Sequence, residues 1–99
     1  MAKTQSSTVT RTELKFPSSY NVVFINDDYT PMDFVIQVLV EIFNRSLEDA
    51  KKITLDVHEK GKGIAGTYNF ELAEQKKAET INVSRHNGHP LTVMVEKID

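Results

Sequence analysis

The sequence predicts an α+β domain in which a three-stranded antiparallel sheet packs against three helices, in the order β-α-α-β-α-β. Three observations carry that expectation. Short segments rich in β-branched and aromatic residues stand at both ends of the region from Ser18 onward, as YNVVFI and LTVMV. Between them, capped segments place apolar residues at steps of three and four. The first two of these segments follow one another with no strand signal between them.

The first strand spans Tyr20 to Ile25 and is stopped by the polar cluster Asn26-Asp27-Asp28. A helix start follows, in which Thr30 offers a capping oxygen, Pro31 takes the first helical position and Asp33 completes a Thr-x-x-Asp pattern. The apolar face Phe34, Val35, Val38, Leu39, Ile42 and Phe43 carries this helix to Asn44. Ser46-Leu47-Glu48-Asp49 repeats the capping pattern, and a second helix runs to Gly61 with Leu47, Ala50, Ile53, Thr54, Val57 and His58 on one side. A short strand is expected over Gly63 to Tyr68. Asn69 then caps a third helix through Phe70, Ala73, Lys77 and Ile81, ending near Asn87-Gly88. The alternating segment Leu91 to Val95 closes the domain as the last strand.

The 99 residues suffice for one core, and we expect a tail over residues 1–17 followed by a single domain over residues 18–99. Residues 1–17 are Ser/Thr-rich with an isolated leucine and phenylalanine, and they end at Pro17. The opening stretch has no apolar segment of the kind a secretory signal needs, so a cytoplasmic protein is the expectation. Its Ser/Thr content and lack of early acids leave the plastid stroma as the alternative. No run approaches the ~18 apolar residues of a membrane span. A net charge of −2 with no clustered Lys and Arg argues against nucleic acid. The absence of cysteine excludes thiol chemistry and disulfides. With no coiled-coil pattern, a monomer is expected.

The loop Asn26-Asp27-Asp28-Tyr29-Thr30-Pro31-Met32 is the most informative stretch, because it sets an amide and two carboxylates between a strand and a helix. From chemistry alone, two acids at a helix start serve equally well as capping groups that favour the dipole. His58 follows Val57 on an apolar face, where a lone histidine is more often structural.

These segments together resemble one family. YNVVFINDDYTPMDFVIQVL, then LDVHEKGKGIAGTYNFELAEQKK, then HPLTVMVEKI look throughout like the ClpS adaptors, from about Tyr20 to the C-terminus. The resemblance implies a binding module that captures proteins by an N-degron, meaning a free α-amine and a bulky hydrophobic first residue, and delivers them to a Clp AAA+ protease. Asn26, Asp27, Asp28 and His58 would then surround the α-amine, whose three donors suit an amide oxygen, carboxylates and an imidazole nitrogen. Thr30, Met32, Val35, Thr54, Val57 and Leu91 would line the side-chain pocket, with Leu, Phe, Tyr and Trp as guests. The family usually has a methionine gate where this chain has Thr54, so the wider pocket is expected to admit Ile or Val as well. Glu71 and Lys76, with Glu74 beside them, match positions that contact the N-terminal domain of a Clp unfoldase of the ClpA or ClpC type. Without the resemblance the same charges read as a solvated face. The tail would engage the unfoldase during hand-off.

Other readings are weaker. Paired acids and a histidine can perform acid–base catalysis, but no nucleophile with a positioned base is evident, and Gly61-Lys62-Gly63 lacks the rest of a phosphate loop. The chain is not expected to be an enzyme, and no cofactor is implied. His86 and His89 are spaced three apart but straddle the helix end at Asn87-Gly88, which argues against a metal site. An interaction module like the ribosomal stalk domains would share the architecture without this loop and histidine.

Overall fold

The computed structural model describes residues 18–98, so the expected tail over residues 1–17 lies outside the described residues. The elements are β1 (Ser19–Ile25), α1 (Met32–Glu41), α2 (Leu47–Lys60), β2 (Lys62–Tyr68), α3 (Phe70–His86) and β3 (Thr92–Ile98), in the predicted order. The first strand lies at the centre of the sheet, with β2 and β3 antiparallel on either side. Pairing with β3 is regular from Ser19↔Ile98 to Ile25↔Thr92. Pairing with β2 slips between Val22 and Val23, a bulge where Gly66 faces Val22 and Ile64 faces Val23. Gly66 is required there, since a Cβ would fall 2.7 Å from the Tyr68 ring.

Alternation on β1 sends Val22 and Phe24 to the helical side, where they join Val35, Val38, Leu39, Ala50, Val57, Ala73 and Val93 in one core. The helices α2 and α3 lie on the sheet, and α1 packs against α2. Phe43 closes the core with its edge on Phe24, ring centroids 5.4 Å apart. Full burial of each such side chain contributes about 1.5–3 kcal/mol. Val23 points to the opposite face yet is only 1% exposed. Its register neighbours Ile64 and Met94 flank it, and the Lys62–Glu96 ion pair at 3.7 Å spans β1 on that face.

Helix ends follow local chemistry in two cases. Ser46 accepts from the Asp49 amide at 3.1 Å, and Gly61 ends α2 at φ 91°. Asn69 caps α3 by accepting from the Leu72 amide at 2.9 Å. The first helix departs from expectation at both ends. Thr30 is not its cap: Pro31 holds that position with extended backbone and no side-chain hydrogen bond, because Asp27 engages the Thr30 hydroxyl. The helix stops at Glu41 rather than Asn44, and Asn44 turns the chain at φ 55°, which asparagine tolerates. Leu47, expected on the buried side of α2, is 57% exposed, as a first-turn residue beyond the sheet's reach. The last strand begins one residue after Leu91 and continues to Ile98.

Candidate functional site

The β1–α1 loop is held at both ends. The Asn26 amide donates to the Gly61 carbonyl at 2.9 Å, which ties the loop to the end of α2. Asp27 then organises the next three residues: Oδ1 accepts from the Tyr29 and Thr30 amides at 2.8 and 2.7 Å, and Oδ2 accepts from the Thr30 hydroxyl at 2.8 Å. Burial pushes the Asp27 carboxyl up, but the Thr30 and Tyr29 amides, the Thr30 hydroxyl and the charge of His89 outweigh it and hold it below the ordinary aspartate range.

The lowered value ties the loop to pH. A carboxyl whose folded pKa is depressed adds stability that is complete above the unfolded value, about 3.9, and is lost as pH falls through the folded value. The Thr30 amide resonance in an NMR titration should therefore hold its position down to about pH 4 and move only below it.

Below the loop lies a small cleft. Its polar end is formed by Asn26, Asp27, Thr30 and His58, with Ile25 beside them. The apolar end is formed by Met32 and Val35 of α1, Thr54 and Val57 of α2, and Leu91 just before β3. Val35, Thr54, Val57 and Leu91 are buried, while Met32 stands half-exposed at the mouth. The Thr54 hydroxyl donates to the Ala50 carbonyl at 2.8 Å, so the polar atom is satisfied within its own helix. Gly63 makes room for the Val57 wall, since a Cβ there would lie 2.9 Å from Val57 Cγ2.

Nine of the ten residues named from the sequence for the amine and side-chain sites thus line a single cleft. Asp28 does not: it is exposed on the loop and outside the lining. His58 is exposed rather than enclosed among apolar groups, because it stands one step round the helix from the buried Val57. Ile25 is the addition. Strand alternation assigns Ile25 to the face opposite Phe24, so periodicity pointed away from it.

Chemically, the polar end gathers acceptors. Among the described residues neither the Asn26 amide group nor the His58 ring is engaged in a hydrogen bond, and Asp27 Oδ2 accepts only one. A carboxylate oxygen has two lone pairs, so Asp27 retains room for a further donor. An amide oxygen, a carboxylate and an imidazole nitrogen at the rim of a buried apolar cleft suit a small cation attached to an apolar group.

The charged face named on α3 behaves differently. Glu71 is exposed and Glu74 half-buried, but Lys76 Nζ donates to the Ile42 carbonyl at 2.6 Å and so satisfies the C-terminal end of α1. Lys76 thus has a structural partner as well as a place on that surface. Lys76→Ala should lower unfolding stability by about 1.5–3 kcal/mol, the usual worth of a hydrogen bond to a charged group, read from urea denaturation.

His86 and His89 face different partners, Nδ1 of His86 toward the Asn82 carbonyl and the His89 ring toward Phe34. Among the described residues no group of three or more His, Asp or Glu side chains could hold a metal ion. No helix among them is long and apolar enough to cross a membrane.

Comparison with known proteins gives a consistent set of relatives. A family model described as ATP-dependent Clp protease adaptor protein ClpS matches residues 15–94. The ATP-dependent Clp protease adapter protein ClpS of Hyphomonas neptunium is 48% identical over 93 residues, covering 94% of this chain and 79% of that protein. The protein of the same name from Caulobacter vibrioides is 49% identical over 94 residues, covering 93% of this chain and 86% of its own length. The solved structure of Agrobacterium tumefaciens ClpS2 bound to L-phenylalaninamide is similar with a TM-score of 0.80 and 30% identity, covering 84% of this chain and 100% of that one.

Proposed function

The chain belongs to the ClpS family of ATP-dependent Clp protease adaptors, and from that premise we propose that its cleft captures proteins by a free N-terminal amine and a bulky apolar first residue. As an adaptor it is not an enzyme, and capture serves delivery to the Clp protease. The observation that carries the reading is the junction, in one cleft, of the acceptors Asn26, Asp27 and His58 with the buried wall of Val35, Thr54, Val57 and Leu91. The ligand of the Agrobacterium relative, L-phenylalaninamide, combines an α-amine with one apolar side chain, the two features that this chemistry selects.

Magnitudes show how the two halves add. Burial of one first-residue side chain contributes about 1.5–3 kcal/mol. Two or three charge-assisted hydrogen bonds add about 1.5–3 kcal/mol each, against an association cost of at least ~4 kcal/mol. Leu, Phe, Tyr and Trp are the proposed guests, with Ile and Val added through Thr54. Asp28 contributes charge at the loop rather than a lining group. Glu71, Glu74 and the edge of Lys76 form the proposed docking surface for the N-terminal domain of a ClpA- or ClpC-type unfoldase, with the adaptor acting as a monomer.

Calorimetry with L-phenylalaninamide and glycinamide tests the capture step. We expect saturable heat for the first and none for the second at the same concentrations; equal responses to both would refute capture through a side-chain pocket.

A further inference from the structure

We infer that His89 is a positioning residue of the cleft, holding the first turn of α1 through Phe34 and, through that turn, the adjoining Asp27 loop; the inference rests on the amine-capture reading. That reading uses Leu91 from the α3–β3 connection but leaves the histidine two residues earlier without a task. The connection is pinned to the last turn of α3 on both sides of Pro90. The His89 amide donates to the Ser84 carbonyl and the Ser84 hydroxyl donates to the His89 carbonyl, both at 2.9 Å. One guanidinium nitrogen of Arg85 donates to the carbonyls of His89 and Leu91 at 3.0 Å each. Ser84 is fully buried, so its two bonds are shielded from water.

The imidazole therefore projects from a fixed point. Its ring meets Phe34 edge-on, with centroids 4.6 Å apart and planes inclined by 61°. Phe34 stands on the first turn of α1 between Met32 and Val35, both of which line the cleft. Met32 and the Asp27 loop directly precede Phe34 in the chain, so the ring contact steadies the turn on which that loop ends. A single half-buried ring anchored to α3 thus supports the first turn of α1 through Phe34 without lining the cleft itself. This use also accounts for the imidazole without a metal.

The test compares the wild-type full chain with His89→Ala and His89→Phe in one buffer. Two readouts are taken: calorimetric affinity for L-phenylalaninamide, and NMR hydrogen exchange of the Tyr29 and Thr30 amides that Asp27 holds. His89→Ala should lose roughly three- to tenfold in affinity, the worth of an aromatic edge contact, and should exchange faster at both amides. His89→Phe keeps a ring against Phe34 and should restore most of both. Wild-type affinity and exchange in His89→Ala would overturn the inference, and so would equal losses in the two variants. A wild type that binds no L-phenylalaninamide sinks the amine-capture reading instead, and the exchange comparison then decides alone whether His89 holds the loop. If His89→Ala shows no melting transition, His89→Gln takes its place in the same comparison.

Discussion

Acetylating the α-amine of a peptide that begins with phenylalanine should lower its affinity for this protein at least a hundredfold. The acetyl group turns a cation with three donors into a neutral amide with one. Asp27 stays ionised throughout the neutral range, because the Thr30 and Tyr29 amides and the Thr30 hydroxyl hold its pKa down against burial. The acetylated guest brings one N–H to three acceptors, so two of Asn26, Asp27 and His58 are left without a donor, and the charge attraction to Asp27 is lost. Loss of two charge-assisted bonds is worth about 3–6 kcal/mol, and each 1.4 kcal/mol is a factor of ten. The apolar wall is untouched by the change, so the residual affinity measures the side-chain half alone. Fluorescence anisotropy with matched free and acetylated peptides reads the difference directly; equal affinities would refute amine recognition.

The parts of this site that the sequence made legible are those set by local chemistry. Ser46 with Asp49, Asn69 with Leu72 and the left-handed Gly61 are caps whose partners lie within four residues, and each forms as the pattern implies. Thr30 failed for a local reason of another kind. A threonine before proline can cap a helix, but Asp27 lies three residues upstream, and its carboxylate is a stronger acceptor that takes both the hydroxyl and the amide of Thr30. Single-residue patterns cannot weigh two competing caps. Long-range partners were illegible altogether: Lys76 reads as a surface cation until the fold brings it to the Ile42 carbonyl, 34 residues away in sequence. The same holds for His89, whose ring meets Phe34 only because α3 returns the chain to the start of α1. The cleft residues came from resemblance rather than periodicity, and Ile25 was not among them.

Replacing Thr54 by methionine should turn a permissive cleft into a selective one. Thr54 is 2% exposed and lines the apolar end with Val57 and Leu91. Its hydroxyl donates to the Ala50 carbonyl, so that hydrogen is already engaged within the helix. A β-branched guest such as Ile or Val places its extra carbon next to the backbone, where a short lining residue leaves room. Methionine is longer and unbranched, fits a helix interior well, and would extend into that space. Hydrophobic pockets resolve one methylene by about 1–3 kcal/mol, so Thr54→Met should reject Ile and Val by roughly 10- to 200-fold relative to the wild type. Leu and Phe, which branch further out, should change by only a few fold. Filling a buried site costs about 1–3 kcal/mol of stability, so the melting temperature should fall as selectivity rises. A panel of free-amine peptides varied only at the first residue decides the matter. Wild-type protein that already discriminates against Ile and Val as strongly as Thr54→Met would show that neighbouring side chains, and not residue 54, set the width of the cleft.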